Sequence, residues 1–352
     1  MAYRATLKDV AAAAGVSVTT VSLVLNNRPA RVSEEKRKAI ADAAKKLNYV
    51  PNQSARSLVT KQSQLVALIV PDIENLFFAA LAKCVEDECA AQGYSLIVAN
   101  SDDSRVTEHE LLQRLPARGV DGVMLIPARE SCAGDAAERL REDVALVSCP
   151  VVLIDRLTQC GWCDAVGFDN YLGGRLAARY LLEGGHTRIG IVTGDIAESS
   201  AAERRRGFVD AIEQSGKHFD SSLCVEGDYR FDSGYRAANQ IIDGGATAVF
   251  GCNDVMALGF RQRMAERGLR VTEDMQVIGY DNILKRFGLG WRMTTVEQSV
   301  ADLAAACWGM LRERIDVAVR AKSGTESGDA RPWLSNPQVE VLTPKLVQAA
   351  CA

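Results

Sequence analysis

Hydrophobic positions recur with a helical period near the N-terminus and gather into short apolar runs through most of the remaining chain. The stretch from Thr6 to Asn26 predicts two short helices. Four residues of the first helix share one apolar face: Leu7, Val10, Ala11 and Ala14. Gly15 follows, at a position where a sharp turn requires a left-handed backbone. Ser17 then caps a second helix, from Val18 to Leu25, whose apolar side can pack on the first.

The outer face of this second helix carries only short side chains. They are Val18, Thr19, Ser22 and Leu23. Short side chains let a helix backbone approach another surface closely, and the arrangement of helix, glycine turn and helix is typical of a helix-turn-helix whose second helix enters the DNA major groove. Thr6 and Asp9 complete a capping box at the start of the first helix. An alanine-rich helical hairpin without a DNA partner is the alternative interpretation.

A third helix and a short linker follow. Ser33 caps the third helix, which the apolar pattern extends to Leu47, and Pro51 prevents its continuation. The segment from Asn52 to Val59 has helical composition, but a helix this short is marginal in water. We therefore expect a flexible linker that becomes ordered only when it is bound.

From Gln64 onward, short apolar runs alternate with helical segments. The runs predict buried parallel strands at Leu65–Val70, Ser95–Ala99, Gly122–Ile126, Val151–Ile154, Ile189–Val192, Ala248–Phe250 and Gln276–Gly279, with a last strand near Val339–Leu342. Helices are predicted between them, for example at Phe77–Gln92, Tyr171–Leu182 and Val255–Arg267. Repeated βα units indicate doubly wound α/β sheets, and the length favours two sub-domains with a cleft between them.

Polar residues follow several of these strands, at the end where open α/β sheets bind their ligands. They are Asp72, Glu74, Asn75, Asn100, Ser101, Asp155, Arg156, Asp169, Asn170, Asn253, Asp254 and Asp281. Asp, Asn and Arg together can hydrogen-bond a polyhydroxylated ligand in a fixed geometry. Any single one of them can instead cap the following helix, so the prediction depends on several acting together.

Charge is divided unevenly along the chain. Residues 1–62 carry 11 Lys and Arg against 4 Asp and Glu, whereas the remaining residues carry 30 against 41. A basic head on an acidic body indicates that one end meets a polyanion. The N-terminus lacks a basic-then-apolar signal segment and no apolar run approaches the roughly 20 residues that span a bilayer, so a cytoplasmic location is expected.

Neither the cysteine spacing nor a search for enzyme motifs indicates a metal site or a catalytic site. Of ten cysteines, only Cys160 and Cys163 have ligand-like spacing, and no second pair or neighbouring histidine completes a zinc site, so no metal is expected and a role for the pair stays open. The chain contains no P-loop, G-x-G-x-x-G, G-x-S-x-G or H-E-x-x-H motif. We therefore expect neither catalytic residues nor a cofactor.

With these features together, the chain resembles the LacI/GalR family of bacterial transcription regulators. The matching segments are residues 6–11, 15–22, 31–33, 47–52, 55–58, 71–78, 120–123, 169–170, 185–190, 204–208, 252–259, 277–281 and 294–298. The chain departs from the family's pattern at Leu23, which offers only apolar contact, at Leu76, at Trp291 and at the Cys160–Cys163 pair.

The resemblance implies an all-α helix-turn-helix headpiece and an α/β body of two doubly wound parallel-sheet sub-domains, like that of periplasmic binding proteins. The implied headpiece covers residues 1–51, the hinge 52–62 and the body 63–345, with sub-domains of about 63–162 plus 295–325 and 163–292 plus 330–345. It also implies a homodimer, with a tetramer left open, on a pseudo-palindromic operator. The expected DNA-binding residues are Thr6, Ser17, Val18, Thr19, Thr20, Ser22, Leu23, Asn26, Ala55 and the minor-groove wedge Leu58.

By the same resemblance, the body binds a small effector in its cleft. The expected effector-binding residues are Asn75, Phe77, Phe78, Ser101, Asp155, Arg156, Arg204, Phe231, Asn253, Asp281 and Gln298. Aspartates would accept from sugar hydroxyls while Arg204 donates, so we expect a neutral sugar that acts as an inducer of a repressor. A sugar acid, a sugar phosphate and a nucleobase are the alternatives, and a sugar-binding protein or enzyme without regulatory role is a remote one.

Overall fold

The computed structural model describes residues 5–25, 29–49, 62–157, 161–196, 199–289, 293–322 and 331–349. Contacts divide the chain into two compact units, residues 1–63 and 64–352, called here the headpiece and the body. Across the described residues no single helix is both long and apolar enough to cross a bilayer. The first two helices reach that composition only jointly, across a bend of 103°.

The headpiece contains three described helices. They are α1 (Leu7–Ala14), α2 (Val18–Leu25) and α3 (Glu34–Lys46). Gly15 ends α1 with φ at 64°, as the turn requires. The helices meet around a core of five buried residues: Val10, Ala11, Val21, Ile40 and Ala43.

The body contains eight helices and twelve strands among its described residues. The helices are α4 (Leu76–Ala91), α5 (Arg105–Ala117), α6 (Gly134–Leu146), α7 (Asn170–Glu183), α8 (Ser199–Gln214), α9 (Phe231–Asp243), α10 (Asp254–Glu266) and α11 (Val300–Lys322). The strands are β1 (Leu65–Val70), β2 (Ser95–Asn100), β3 (Gly122–Leu125), β4 (Val151–Ile154), β5 (Asp164–Phe168), β6 (Ile189–Thr193), β7 (Cys224–Glu226), β8 (Ala248–Gly251), β9 (Gln276–Asp281), β10 (Thr295–Glu297), β11 (Val339–Leu342) and β12 (Lys345–Val347).

The strands form two six-stranded sheets, ordered β11-β5-β4-β3-β1-β2 and β12-β10-β9-β8-β6-β7. Every pairing in the first sheet is parallel, and in the second only β12 runs antiparallel to its neighbour. The residues of β3, β4 and β5 are all buried, as helices on both faces of a parallel sheet require. The expected doubly wound architecture of two sub-domains is confirmed.

The sub-domain boundaries differ from those expected from the sequence. Asp164–Phe168 pairs with β4 in the first sheet, although the boundary at residue 163 assigned it to the second. Thr295–Glu297 pairs with β9 in the second sheet, and Val339–Leu342 returns to the first beside β5. Both had been assigned to the opposite sub-domain. Each crossing between the sheets comes one strand later than expected, and the local pattern of the sequence does not reveal which sheet a strand joins.

The strands that the pattern missed are short. Four were not predicted: β5, β7, β10 and β12, each of three to five residues. The three-residue strands contain too few positions for a period to emerge, and in β5 the apolar run is interrupted by Asp164 and Gly167. Two of them, β5 and β10, lie next to points where the chain passes between the sheets.

Candidate functional site

A cavity lies between the two sheets of the body. Its empty space, counted together with the open solvent at its mouth, is about 360 Å³. Its lining residues come from seven separate segments and from both sub-domains: Asn75, Phe77, Phe78, Asp155, Arg156, Ser200, Arg204, Tyr229, Asn253, Asp281 and Gln298. Most of them directly follow a strand or begin a helix, because the carboxyl ends of parallel strands meet at one edge of each sheet. We call this space the inner cavity.

Arg204 of α8 lies at the centre of the polar network around the inner cavity. Its Nε donates to Oδ1 of Asn170 at 2.7 Å, and its Nη1 donates to the carbonyl of Cys252 at 2.8 Å. Its Nη2 donates to Oε1 of Gln298 at 3.2 Å, and the guanidinium stands 4.0 Å from the ring centroid of Tyr280. These contacts fix the orientation of a buried cation that lines the cavity.

Electrostatics keep Arg204 charged. Burial alone would lower the pKa of its guanidinium, but Tyr280, Tyr229, Asp281 and Asp155 raise it, and the result lies well above the ordinary value. Arg204 is therefore a permanent buried positive charge in the site. A ligand must either balance this charge or leave it balanced by the carboxylates nearby.

Asp281 behaves differently from an ordinary aspartate. Burial raises its pKa to about 8; Arg204 opposes the shift, while Asp254 and Asp155 add to it. The carboxyl group is therefore largely protonated at neutral pH and can donate a hydrogen bond. The sequence interpretation, in which every aspartate accepts from the ligand, does not allow for this.

Nine of the eleven expected effector residues line the inner cavity, and two do not. Ser101 is fully buried, and its hydroxyl donates to the carbonyl of Val70 at 3.3 Å. Phe231 begins α9 and stacks on Tyr235, with 6.5 Å between ring centroids. The aromatic residue of this loop that lines the cavity is Tyr229, two positions earlier.

Two lining residues were missed from the sequence. Ser200 lies four residues before Arg204, so the two share one face of α8, and helical spacing from Arg204 could have indicated it. Tyr229 follows the three-residue strand β7, which the apolar pattern did not reveal. Its carbonyl accepts from Nδ2 of Asn253 at 2.9 Å, which holds the loop against the cavity.

The residues of α2 and its cap that were predicted to contact DNA differ in exposure. Ser17, Val18 and Thr19 are exposed, whereas Thr20, Ser22 and Leu23 are half-buried. The Ser17 hydroxyl accepts from the Thr20 amide at 3.1 Å, so the predicted cap is formed. The exposed Thr6 donates to the Asp9 carboxylate from its amide and its hydroxyl, both at 2.7 Å. Asn26, Ala55 and Leu58 lie outside the described residues.

The sequence predicts no metal site, and this stays a prediction. No group of three His, Cys, Asp or Glu side chains in the part of the chain that the structure describes could hold a metal ion. Cys163 is buried, and its thiol donates to the carbonyl of Val151 at 3.4 Å. Cys160 lies outside the described residues.

Comparison with known families decides the identity. Residues 6–52 match the bacterial regulatory proteins of the lacI family, and residues 63–310 match the periplasmic binding proteins and sugar binding domain of the LacI family. The chain belongs to the LacI family. This member is a DNA-binding transcriptional regulator and not an enzyme, in agreement with the prediction from sequence.

Individual relatives cover nearly the whole LacI-family chain. The HTH-type transcriptional repressor PurR of Pasteurella multocida (strain Pm70) is 37% identical over 89% of this chain and 92% of its own length. A complex of the transcriptional regulator CelR with cellobiose is 29% identical, with a TM-score of 0.68 over 98% of this chain and 99% of that one. The Lac repressor bound to ONPG in the repressed state is 25% identical, with a TM-score of 0.80 over 99% of both chains.

Proposed function

We propose that this LacI-family regulator represses transcription from a pseudo-palindromic operator as a homodimer, and that a small neutral effector in the inner cavity releases it. The main observation in support of effector binding is that polar and aromatic side chains from both sub-domains converge on one cavity. A ligand that contacts both sub-domains binds one relative arrangement of them better than another. Such a difference in affinity is what an allosteric effector needs.

The charge balance of the inner cavity supports a neutral effector. Arg156 is already paired, since its Nη1 donates to Oδ1 of Asp103 at 2.6 Å. With Asp281 largely protonated, Asp155 is the other lining carboxylate that can balance the charge of Arg204. A phosphate or carboxylate on the ligand would upset this balance in a buried site, where an uncompensated charge is costly. A neutral sugar therefore ranks ahead of a sugar acid or a sugar phosphate.

A nucleobase is the second candidate, and the aromatic lining favours it. Phe77 and Phe78 stand edge to face, with 5.8 Å between centroids, and Tyr229 lies on the opposite sub-domain. Aromatic faces suit a planar heterocycle as well as the apolar side of a sugar ring. A protonated Asp281 can also donate to a ring nitrogen or a carbonyl oxygen.

On the DNA side, we propose that Val18, Thr19 and Leu23 face base edges while Ser17, Thr20, Ser22 and Asn26 meet phosphates. Thr6, Ala55 and the hinge over residues 52–62 complete the contact, with Leu58 as the wedge that bends the operator. The exposed apolar side chains of the edge strand β2 and of α5 support the homodimer, since Val98 is 42% exposed and Val106 is 68% exposed. The regulator would then work in the bacterial cytoplasm, at the nucleoid when bound to DNA.

The effector proposal is tested in two steps. Thermal-shift screening of the full chain against sugars, sugar acids, sugar phosphates and nucleobases selects a ligand, which is then titrated by calorimetry into wild type, Asp281→Ala and Arg204→Lys. We expect both variants to lose at least tenfold in affinity, since each removes or displaces a group that lines the cavity. Wild-type affinity in both variants would contradict the assignment of the cavity.

The operator proposal has its own test. DNA footprinting should protect two half-sites, and affinity should fall steeply with salt as the basic head displaces counterions. Leu58→Ala should reduce DNA bending without changing effector affinity. Protection of a single half-site, or affinity insensitive to salt, would contradict it.

A further inference from the structure

A second, larger chamber lies outside the inner cavity. Its empty volume is about 820 Å³. Four residues line both spaces, so the outer chamber leads into the inner cavity: Asn75, Phe78, Arg156 and Tyr229. An effector that reaches the inner cavity by this route must pass the side chains at its mouth.

Ion pairs at this mouth join the two sub-domains. Arg230, just before α9 in the second sub-domain, reaches Asp72 at 2.6 Å and Glu74 at 2.9 Å, both just after β1 in the first. On another part of the rim, Arg129 of the first sub-domain reaches Asp195 of the second at 3.2 Å. We call these contacts the mouth ion pairs.

The mouth ion pairs use the guanidinium groups that line the outer chamber. Arg230 and Arg129 bridge the sub-domains, and Arg129 and Arg156 also pair with Asp103. The chamber thus offers a passing ligand no uncommitted cation among these three. Two of the three, Arg230 and Arg129, instead join one sub-domain to the other.

We propose that the mouth ion pairs hold the effector cleft closed in the ligand-free regulator and set the open–closed equilibrium on which effector entry depends. The inference rests on the proposed function only in taking the inner cavity as the effector site. The paired side chains are partly exposed, from 30% for Asp72 to 76% for Glu74 with Arg230 at 48%, so bulk salt can screen them.

The strength of these contacts sets the expected effect. Exposed ion pairs are individually weak, and one pair shifts an equilibrium by about two- to fivefold. Arg230 makes two such pairs, so Arg230→Gln should raise the open-to-closed ratio by roughly fivefold or more. Arg230→Lys retains the charge but not the forked geometry, so it should restore part of the closed population.

The test measures the distance between sub-domains and needs neither effector nor DNA. Spin labels are attached through p-acetylphenylalanine at the exposed Leu146 of α6 and the exposed Glu213 of α8, which leaves the native thiols untouched. Labelled chain is diluted with unlabelled chain, so that the distances within one chain dominate. Distance distributions by electron–electron double resonance are compared for wild type, Arg230→Gln and Arg230→Lys at low salt and at 1 M NaCl.

Arg267→Gln provides the matched control. Arg267 pairs with Asp243 at 2.7 Å, but both residues lie in the second sub-domain. We expect Arg230→Gln to enlarge the open population, wild type to approach it at 1 M NaCl, and Arg267→Gln to behave like wild type. Equal distributions in wild type and Arg230→Gln, or an equal shift in Arg267→Gln, would overturn the proposal. A failed effector screen would leave this result unaffected and would count against the proposed function alone.

Discussion

The headpiece and the body differ in how far apart along the chain their functional residues lie. The described residues proposed to face DNA on α2 and its cap fall between Ser17 and Leu23, within seven consecutive positions. The inner cavity is lined by residues from Asn75 to Gln298. The first surface depends only on the phase of one helix, whereas the second depends on which strands are neighbours in two sheets.

The two regions also differ in the size of their cores. The described headpiece has five buried core residues, whereas each sub-domain of the body has a cluster of more than twenty. A small core leaves little reserve of stability, so one substitution can unfold it. In the body, the most destabilising substitutions should instead be those at close backbone contacts next to the inner cavity. Four predictions test this contrast.

The largest effect is expected from Gly174→Ala in α7. A β-carbon there would lie 2.0 Å from the carbonyl oxygen of Arg204 and 2.9 Å from the amide of Phe208, both on the backbone of α8. The helices must separate, which displaces Arg204 and should lower the free energy of unfolding of the body by about 3 kcal/mol or more. Effector binding should be lost, while the headpiece still folds. Denaturant unfolding of the body and calorimetry measure this.

Gly309→Ala is the control for that substitution. No atom outside α11 comes within 4 Å of a β-carbon at this helical position. It should stabilise the body by about 0.5–1 kcal/mol, since alanine favours a helix. Destabilisation by both variants to the same extent would contradict the role given to the contact between α7 and α8.

The next effect is expected from Ile40→Ala in α3. Ile40 is fully buried in the headpiece core, and such truncations reduce the free energy of unfolding by about 2–5 kcal/mol. Operator binding should be lost while effector affinity and the melting of the body are retained. Gel shift and calorimetry on the full chain measure both. Asp42→Ala, on the exposed side of the same helix, is the control and should bind the operator nearly as wild type does.

A pH-dependent effect is expected from Asp281. Its pKa is raised to about 8 in the folded protein, so between the unfolded value near 4 and pH 8 the folded state holds the extra proton. Stability therefore falls as pH rises through this window, by at most about 1.4 kcal/mol per pH unit. Between pH 6 and 8 we expect wild type to lose roughly 2–2.5 kcal/mol.

Asp281→Asn should remove most of that loss, because the amide does not titrate. The window above pH 6 separates Asp281 from Asp254, whose pKa burial raises to only about 6. Chemical denaturation of wild type and variant at pH 6, 7 and 8 measures the difference. Parallel pH profiles for the two proteins would show that Asp281 is already ionised.

The smallest effect is expected from Asp9→Ala. The Asp9 carboxylate accepts from the amide and hydroxyl of Thr6, so its loss should destabilise the headpiece by about 1 kcal/mol. Operator affinity should fall several-fold, and restoring the carboxylate as Asp9→Glu should recover part of it. Melting of the body should not change; a shift there would mean that the two units are not independent in stability.

Many features of this structure can be predicted from the local sequence. Gly15 ends the first helix where the pattern placed it, Ser17 caps the second, and β1, β4 and β11 have the predicted bounds. These features depend on the residues within a few positions, through helical period, side-chain caps and continuous apolar runs. Nine residues now found around the inner cavity were also named from strand ends and from the family resemblance.

Only the tertiary structure decided the rest. Asp164–Phe168 and Thr295–Glu297 join sheets that were not predicted for them, because each pairs with the strand just before it and the chain crosses to the other sheet one strand later than expected. Tyr229 enters the cavity, where Phe231 had been expected, because the loop after β7 is fixed by Asn253. The raised pKa of Asp281 and the pairing of Arg230 with Asp72 arise from burial and proximity between segments far apart in the chain, which no local pattern encodes.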